Sequence, residues 1–599
     1  MTTKVKLYNY AKISFIALYL VLGVLSIINK SPTMDESLHL SDGIAYHKFK
    51  NFNFGIEHPP LLRLWAAIGS RLITLQTPPA NSLLRNEEEV RIRNWDIQKD
   101  IMFARKTLYA LKNKTGLLLF IGRCLILLLG VPLAIVLFEW SKALYGKSAA
   151  IITLGLFCMS PNILAHARLV TTDFGSAALA VIASFFLWKF SQNTDLKNFI
   201  PSAIFWALAL SSKFTCIFYF IAFHLTAFIF ASDKRKFILF FLIQLPVTAF
   251  IINCCCFFTE PVFGNFFSQT ELSVLPEFFR PVFVFFSKIS FLPRIYLKGI
   301  LESIYHAGRG HNSYFFGMYS TKGWWFYFPA AFVLKTTLVS LIISAIALFS
   351  LQRKKISRSE LFYIIPSISF LLFATRSNLN IGIRHIIILW PFVFLFAGRA
   401  MIVLKRGLLP AILLVALAEN LIIFPHYISQ FNILFGGAKN GWKYLADSNL
   451  DWGQDLKYLE KWWKKENKPA LILSYFGTAS PSYYGINSQW CMCPPLLTNE
   501  KLSLMPQNPD REFFAISVMH LLGVNFANKH FFAYFRAKKP VKVCGRSIYI
   551  YDITNDAYAH IVFSSVYGIL GDRELSGREL NIAVQMNPRI IESLPADPD

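Results

Sequence analysis

Residues 34–65 read MDESLHLSDGIAYHKFKNFNFGIEHPPLLRLW and follow an apolar run from about Ile13 to Ile28. A run of that kind is a membrane-helix candidate, so Asp35 and Glu36 are expected where the helix leaves the hydrocarbon. A second cluster, Glu57-His58-Pro59-Pro60, precedes another apolar, aromatic segment. Two acidic spots, joined by a short polar stretch and each beside apolar surface, suit proton transfer at a membrane–water boundary. A solvated first loop, or Asp35 as an ordinary helix cap, accounts for the same residues.

Outward from this stretch, the chain has 599 residues, 54% of them hydrophobic, with 58 Phe. That is too apolar for a soluble enzyme and too long for a single span, which leaves a multi-pass membrane protein. The formal charge of +25 comes from Lys and Arg in short clusters between apolar runs, with no basic groove or aromatic-interleaved motif. The pattern is topogenic charge, and no nucleic-acid partner is expected. Of nine cysteines, Cys124, Cys158, Cys216, Cys254, Cys255 and Cys256 fall in or beside apolar runs, where cysteine behaves as a small hydrophobe. Cys491, Cys493 and Cys544 belong to the hydrophilic C-terminal part. If that part is exposed to an oxidising compartment, a bridge from Cys544 to Cys491 or Cys493 is expected.

After the first helix, apolar runs lie at about 116–138, 148–164, 173–189, 198–211, 214–231, 237–257, 326–350, 360–374, 383–398 and 407–424, which predicts about 11 spans. Basic clusters such as Lys142 with Lys147, Asp233-Lys-Arg-Lys236, Arg353-Lys-Lys355 and Lys405-Arg406 mark alternate loops as cytoplasmic. The N-terminus is then cytoplasmic. The large loops at about 30–115 and 258–325, and everything after about Pro425, are extracytoplasmic. In the first of these loops, LLRLWAAIGSRLITL is expected as a short helix on the membrane surface. The division predicted is a membrane domain over 1–424 and an extracytoplasmic α/β domain over 425–599. The latter alternates helix-like NGWKYLADSN and GQDLKYLEKWWKKEN with strands ALILSYFG, EFFAISVM and SIYIYDI, and ends in a helical tail. Asp447 and Asp451 are expected as capping and turn acids.

Polar chemistry collects at the outer loop ends. HARLVTTDFGS offers His166, Arg168 and Asp173, SSKFT offers Lys213, and RSNLNIGIRHIIILWP offers Arg384 and His385. Lys335 falls inside an apolar run, where a lone cation is usually an interface anchor. Several cations and at least three carboxylates on one face describe a site for an anionic, membrane-held substrate.

The motif series MDE, EHPPL, ARLVTTDFGSAAL, SSKFT, GHNSYFFGMYSTKGWWFYFPAAFVLKT, GIRHIIILWPF and FNILFGGAKNGWKYLADSNLDWGQDL resembles the protein O-mannosyltransferase and aminoarabinose-transferase group of GT-C glycosyltransferases. The resemblance implies inverting transfer of a mannose-like hexose or related sugar from a polyprenyl-phosphate donor to a hydroxyl of a protein or lipid acceptor. The setting would be the extracytoplasmic face of a bacterial inner (plasma) membrane, among its lipids. It implies Asp35 as general base with Glu36 beside it, and Asp173 as a second acid. Glu57 lies in EHPPL, which resembles the EKPPL of the aminoarabinose enzymes; His58 replaces that lysine, which puts a phosphate contact there in question. Arg384, with His385 next to it, resembles the arginine that meets the lipid phosphate, and Lys213 and Arg168 are further candidates for that charge. The chemistry asks for these types independently: a carboxylate takes the acceptor proton, and cations stabilise the departing phosphate. A divalent cation could bridge Asp35 and Asp173 to the phosphate, although no His/Cys spacing demands a metal. The competing class is a multi-pass transporter with a solute-binding outer domain. The absence of an internal repeat and the one-sided polar loops count against it.

Overall fold

A backbone in hydrocarbon must satisfy its own N–H and C=O groups, so each apolar run is expected to be helical. The computed structural model describes residues 2–78, 97–492, 504–506 and 509–590, and in it every one of these runs is helix or a pair of helices. Tyr8–Asn29, Thr115–Tyr145, Thr172–Gln192, Lys234–Cys255 and Arg406–Ile423 are long and apolar enough to cross a membrane. Two bent pairs, Lys147–Met159 with Pro161–Ala167 and Tyr327–Lys335 with Leu338–Gln352, raise the number to seven if each is one span. Among the described residues, five to seven of the expected spans of about 11 are thus long and apolar enough to cross by themselves. Leu196–Leu210, Cys216–Phe230 and Leu389–Ile402 are shorter apolar helices.

The run at 326–350 looks uninterrupted in sequence but turns by 113° between Tyr327–Lys335 and Leu338–Gln352. A break in apolar surroundings persists only if the freed backbone groups find partners. Asn162 Nδ2 donates to the Lys335 carbonyl at 2.8 Å, and Asn432 Nδ2 donates to the Thr336 carbonyl at 2.9 Å. On the other side of the break, Glu419 accepts the N–H groups of Leu338 and Val339 at 2.9 and 3.2 Å. Lys335 is buried there and does not reach the interface as a lone anchor would. Its Nζ donates to the Ile428 carbonyl at 2.7 Å and lies 4.4 Å from the centre of the Phe431 ring.

The polypeptide forms two compact units. The first comprises Met1–Asn29, Asp35–His311 and Ser320–Ala438, and the second Lys30–Met34, Asn312–Tyr319 and Lys439–Asp599. Within the first unit the segment after Asp35 is packed: Tyr46, Phe52, Phe54, Ile56 and Phe103 form a core with Cys255, Cys256 and Ile295. The surface helix expected over 61–75 is a short α-helix, Leu61–Ala66, continued by a 3-10 turn, Ala67–Arg71.

After a small hairpin of β1 (Ser313–Phe315) and β2 (Met318–Ser320), the strands of the second unit are β3 (Ala470–Ser474), β4 (Gln489–Trp490), β5 (Glu512–Ser517), β6 (Lys542–Cys544) and β7 (Ile548–Asp552). They order as β4-β3-β5-β7-β6, with β3 parallel to β4 and β5, and β7 antiparallel to β5 and β6. The three strands and the tail helices read from sequence are present, the tail as Ala557–Ile569 and Arg573–Met586. NGWKYLADSN, residues 440–449, is not one helix but holds the short turns Gly441–Lys443 and Asp447–Asn449, and Asp447 has a positive φ of 56° that a continuous helix excludes. Asp451 Oδ1 and Oδ2 accept the N–H groups of Gly453 and Met519, and burial pushes its carboxyl up to about 7. Asp455 pairs with buried Lys30 at 2.5 Å.

The bridge expected between Cys544 and Cys491 is absent. Cys544 is a free thiol in edge strand β6, whereas Cys491 follows β4 at the opposite edge. Four strand spacings put them about 19 Å apart, far beyond disulfide reach. Cys493 lies outside the described residues.

Behind the sheet, His560 is fully buried between Glu512 and Glu579, at 3.4 and 2.7 Å. Burial opposes its charge, but the two carboxylates prevail and hold the imidazolium up to about 9. A folded-state value above the unfolded one means that the stabilisation is complete below about pH 6.5 and is lost as pH rises through about 9. In the full-length protein, unfolding free energy in this unit is expected to fall by about 1.4 kcal/mol per pH unit across that window. His560→Phe should remove the slope; an unchanged slope would show that the proton is held elsewhere.

Candidate functional site

The first helix ends at Asn29 and the next begins at Met34, which places Asp35 and Glu36 in its first turn, where the helix dipole favours carboxylates. Successive helical side chains diverge by about 100°, so neighbouring acids meet different partners. Asp35 Oδ2 pairs with Arg384 Nη1 at 2.6 Å, and the two side chains stay 28% and 13% exposed. Glu36 is fully buried, takes Arg123 Nε and Nη2 at 2.7 and 2.6 Å, and accepts the Val170 N–H at 3.0 Å. Both oxygens are committed to a buried ion pair that ties three segments together, whereas Asp35 beside it stays partly exposed.

Asp173 lies in the first turn of Thr172–Gln192, and Lys213 in the turn after Leu196–Leu210. Asp173 and Lys213 form an ion pair, both nearly inaccessible. Beyond Lys213, the cation acting on Asp173 is Arg384, so Arg384 connects the two aspartates, with the His385 ring beside them. His385 is half-buried, and its Nε2 is enclosed with no hydrogen-bond partner among the described residues.

The EHPP element joins the same group through a residue that sequence reasoning missed. Arg63, on the short helix Leu61–Ala66, is 1% exposed and pairs with Glu57 at 2.5 Å. It also donates to His39 Nδ1 at 2.7 Å, to the Tyr46 hydroxyl at 3.1 Å and to the Gly55 carbonyl. Gly55 has φ +52°, and a Cβ there would collide with Arg63 and Asp42, so both the backbone and the arginine need glycine. His58 stacks obliquely on His39, ring centres 5.6 Å apart. Burial holds both imidazoles well below their ordinary range, Arg63 adds to this, and Lys213 and Asp173 are among the other charges that reach them. His306 is likewise held down to about 4, by burial first. No pattern in the sequence marks Arg63, because an arginine on a short amphipathic helix is ordinarily solvated.

Arg168 acts on the same imidazole, His166, as Asp173, Lys335 and Arg384 do. It is fully buried in the turn between Pro161–Ala167 and Thr172–Gln192, near His166 and Tyr427. Among the described residues no group of three His, Cys, Asp or Glu side chains is arranged to hold a metal ion. What remains together is Asp35, Asp173 and Glu57 with Arg384, Lys213 and Arg63, bordered by neutral imidazoles. Each of these three carboxylates already faces a cation: Asp35 faces Arg384, Asp173 faces Lys213 and Glu57 faces Arg63.

Residues 107–257 match the model of the family described as dolichyl-phosphate-mannose-protein mannosyltransferase, in agreement with the resemblance carried by the motifs. No curated protein matches. Two solved structures of ArnT from Cupriavidus metallidurans, one apo and one bound to undecaprenyl phosphate, are similar to this chain at 12% identity. Each match covers 90% of this chain and 97% of that one, with a TM-score of 0.43.

Proposed function

We propose that the chain is a glycosyltransferase that moves a sugar from a polyprenyl-phosphate carrier to a hydroxyl of a protein or lipid acceptor by one inverting displacement. The observation that carries this is the ion pair of Asp35 with Arg384, in a group that also contains Asp173 and Lys213. The donor phosphate draws Arg384 off Asp35 and frees the carboxylate. Asp35 then takes the proton of the acceptor hydroxyl while that oxygen attacks the anomeric carbon. The bond from this carbon to the phosphate oxygen breaks, and the lipid phosphate departs with the electron pair, its charge met by Arg384 and Lys213. Asp173 orients Lys213. Against a divalent cation between Asp35 and Asp173 stands the prior claim of Arg384 and Lys213 on those carboxylates, and no step is routed through a metal.

Turnover is tested with the purified protein in lipid nanodiscs, offered polyprenyl-phosphate hexoses, by release of polyprenyl phosphate. No release with any donor and acceptor sinks the proposal. Arg384→Ala is expected to weaken donor binding and rate together, each by tenfold or more, because the phosphate is charged before and after transfer. A loss of rate with donor affinity intact would remove Arg384 from the phosphate. The setting we propose is a bacterial inner membrane with the site on its outer side. A C-terminal reporter active only in the cytoplasm should therefore stay silent; a signal from it would invert the topology.

A further inference from the structure

His39 lies four residues after Asp35 in the helix Met34–Phe49, so the two side chains leave the same face one turn apart. The ring is 5% exposed, and the bond from Arg63 Nε–H to its Nδ1 is its one ring hydrogen bond among the described residues. A guanidinium stays protonated and has no acceptor, so the nitrogen it touches must be the one without a proton. The imidazole is therefore neutral, and its single proton sits on Nε2. Arg63 cannot easily swing away, being held as well by Glu57, Tyr46 and the Gly55 carbonyl. Apart from Arg63, the charges that act on His39 are Asp173, Arg384 and Lys213, the groups of the phosphate site.

We propose that His39 is a donor-recognition residue whose Nε2–H, fixed in place by Arg63, donates a hydrogen bond to a phosphate oxygen of the polyprenyl-phosphate substrate. The proposal rests on the phosphate-donor function above. A further cation at this point would pair with Asp35 or Asp173 and be lost to the substrate, whereas a neutral N–H adds a directed donor without competing for either carboxylate. Arg63 is then a positioning residue: it sets the tautomer and does not itself touch the lipid.

The test uses the full-length protein in nanodiscs with undecaprenyl phosphate as the probe and three variants. His39→Asn puts an amide oxygen near the Nδ1 position, keeping the acceptor for Arg63 while removing the far donor. His39→Gln reaches the Nε2 position and keeps the donor. Arg63→Lys keeps the charge but loses the Nε–H that fixes the tautomer. Affinity is expected to fall about ten- to hundredfold in His39→Asn, the range for a hydrogen bond to a charged group, and to stay within about threefold in His39→Gln. Arg63→Lys should fall between them, and in transfer assays KM should rise more than kcat falls. Wild-type affinity in His39→Asn, an equal loss in His39→Gln, or no change in Arg63→Lys overturns the assignment. If the wild-type chain does not bind undecaprenyl phosphate, the donor function itself fails and takes this proposal with it.

Discussion

Asp35→Asn is expected to turn over roughly 10²–10⁴-fold more slowly than the wild type, the usual cost of losing a positioned base, while the protein stays folded. The side chain is partly exposed at the start of a helix, and asparagine keeps its shape, so no core packing is disturbed. The informative readout is donor affinity. In the unliganded chain Arg384 is held by Asp35, and the substitution removes that competitor for the phosphate. Undecaprenyl phosphate should therefore bind as well as before or more tightly while transfer collapses. Such a split separates a base from a binding residue, since a lost binding contact would weaken both. Near-normal turnover in the folded variant would move the base to Asp173 or Glu57.

Lys213→Met carries the second large effect, and on a different quantity. Asp173 and Lys213 are buried against each other, and removing one partner of a buried pair leaves an uncompensated charge, at a cost of about 3–5 kcal/mol. The thermal midpoint should drop sharply and transfer should be lost. Asp173→Asn with Lys213→Met removes both charges and is expected to recover most of the stability, because no isolated charge remains. It should not recover transfer, because the phosphate still lacks Lys213. Unchanged stability in the single variant would mean that the pair does not hold these segments. Recovered transfer in the double variant would reduce both residues to a structural role.

Membrane class, helical runs, the C-terminal strands and the tail helices were legible because each rests on local pattern: apolar length, alternation and composition. Asp35, Asp173, Lys213 and Arg384, which the structure brings into ion pairs, stand out in sequence because their motifs lie at helix ends beside apolar runs, where charge is costly. The different surroundings of Asp35 and Glu36 are something local pattern cannot supply. Asp35 and Glu36 are equivalent in sequence, and only the rotation of about 100° between them sends one to Arg384 and the other to Arg123. Lys335 reads as an interface anchor and Arg63 does not stand out at all, yet their partners come from Tyr46, Glu57, Ile428 and Phe431, and burial of a cation is decided by such partners.

The chain's sequence by itself determined that the protein is helical and membrane-bound, that a small α/β unit follows, and which charged residues stand at helix ends beside apolar runs. These follow from hydrocarbon thickness, side-chain periodicity and the cost of charge in an apolar setting. Tertiary structure alone decided which carboxylate meets which cation, where the run at 326–350 bends, that Cys544 is out of reach of Cys491, and that Arg63 donates to Nδ1 of His39. Each of these depends on groups tens to hundreds of residues apart. A hydrogen bond or ion pair is fixed by distance and direction in space, and local sequence pattern records neither.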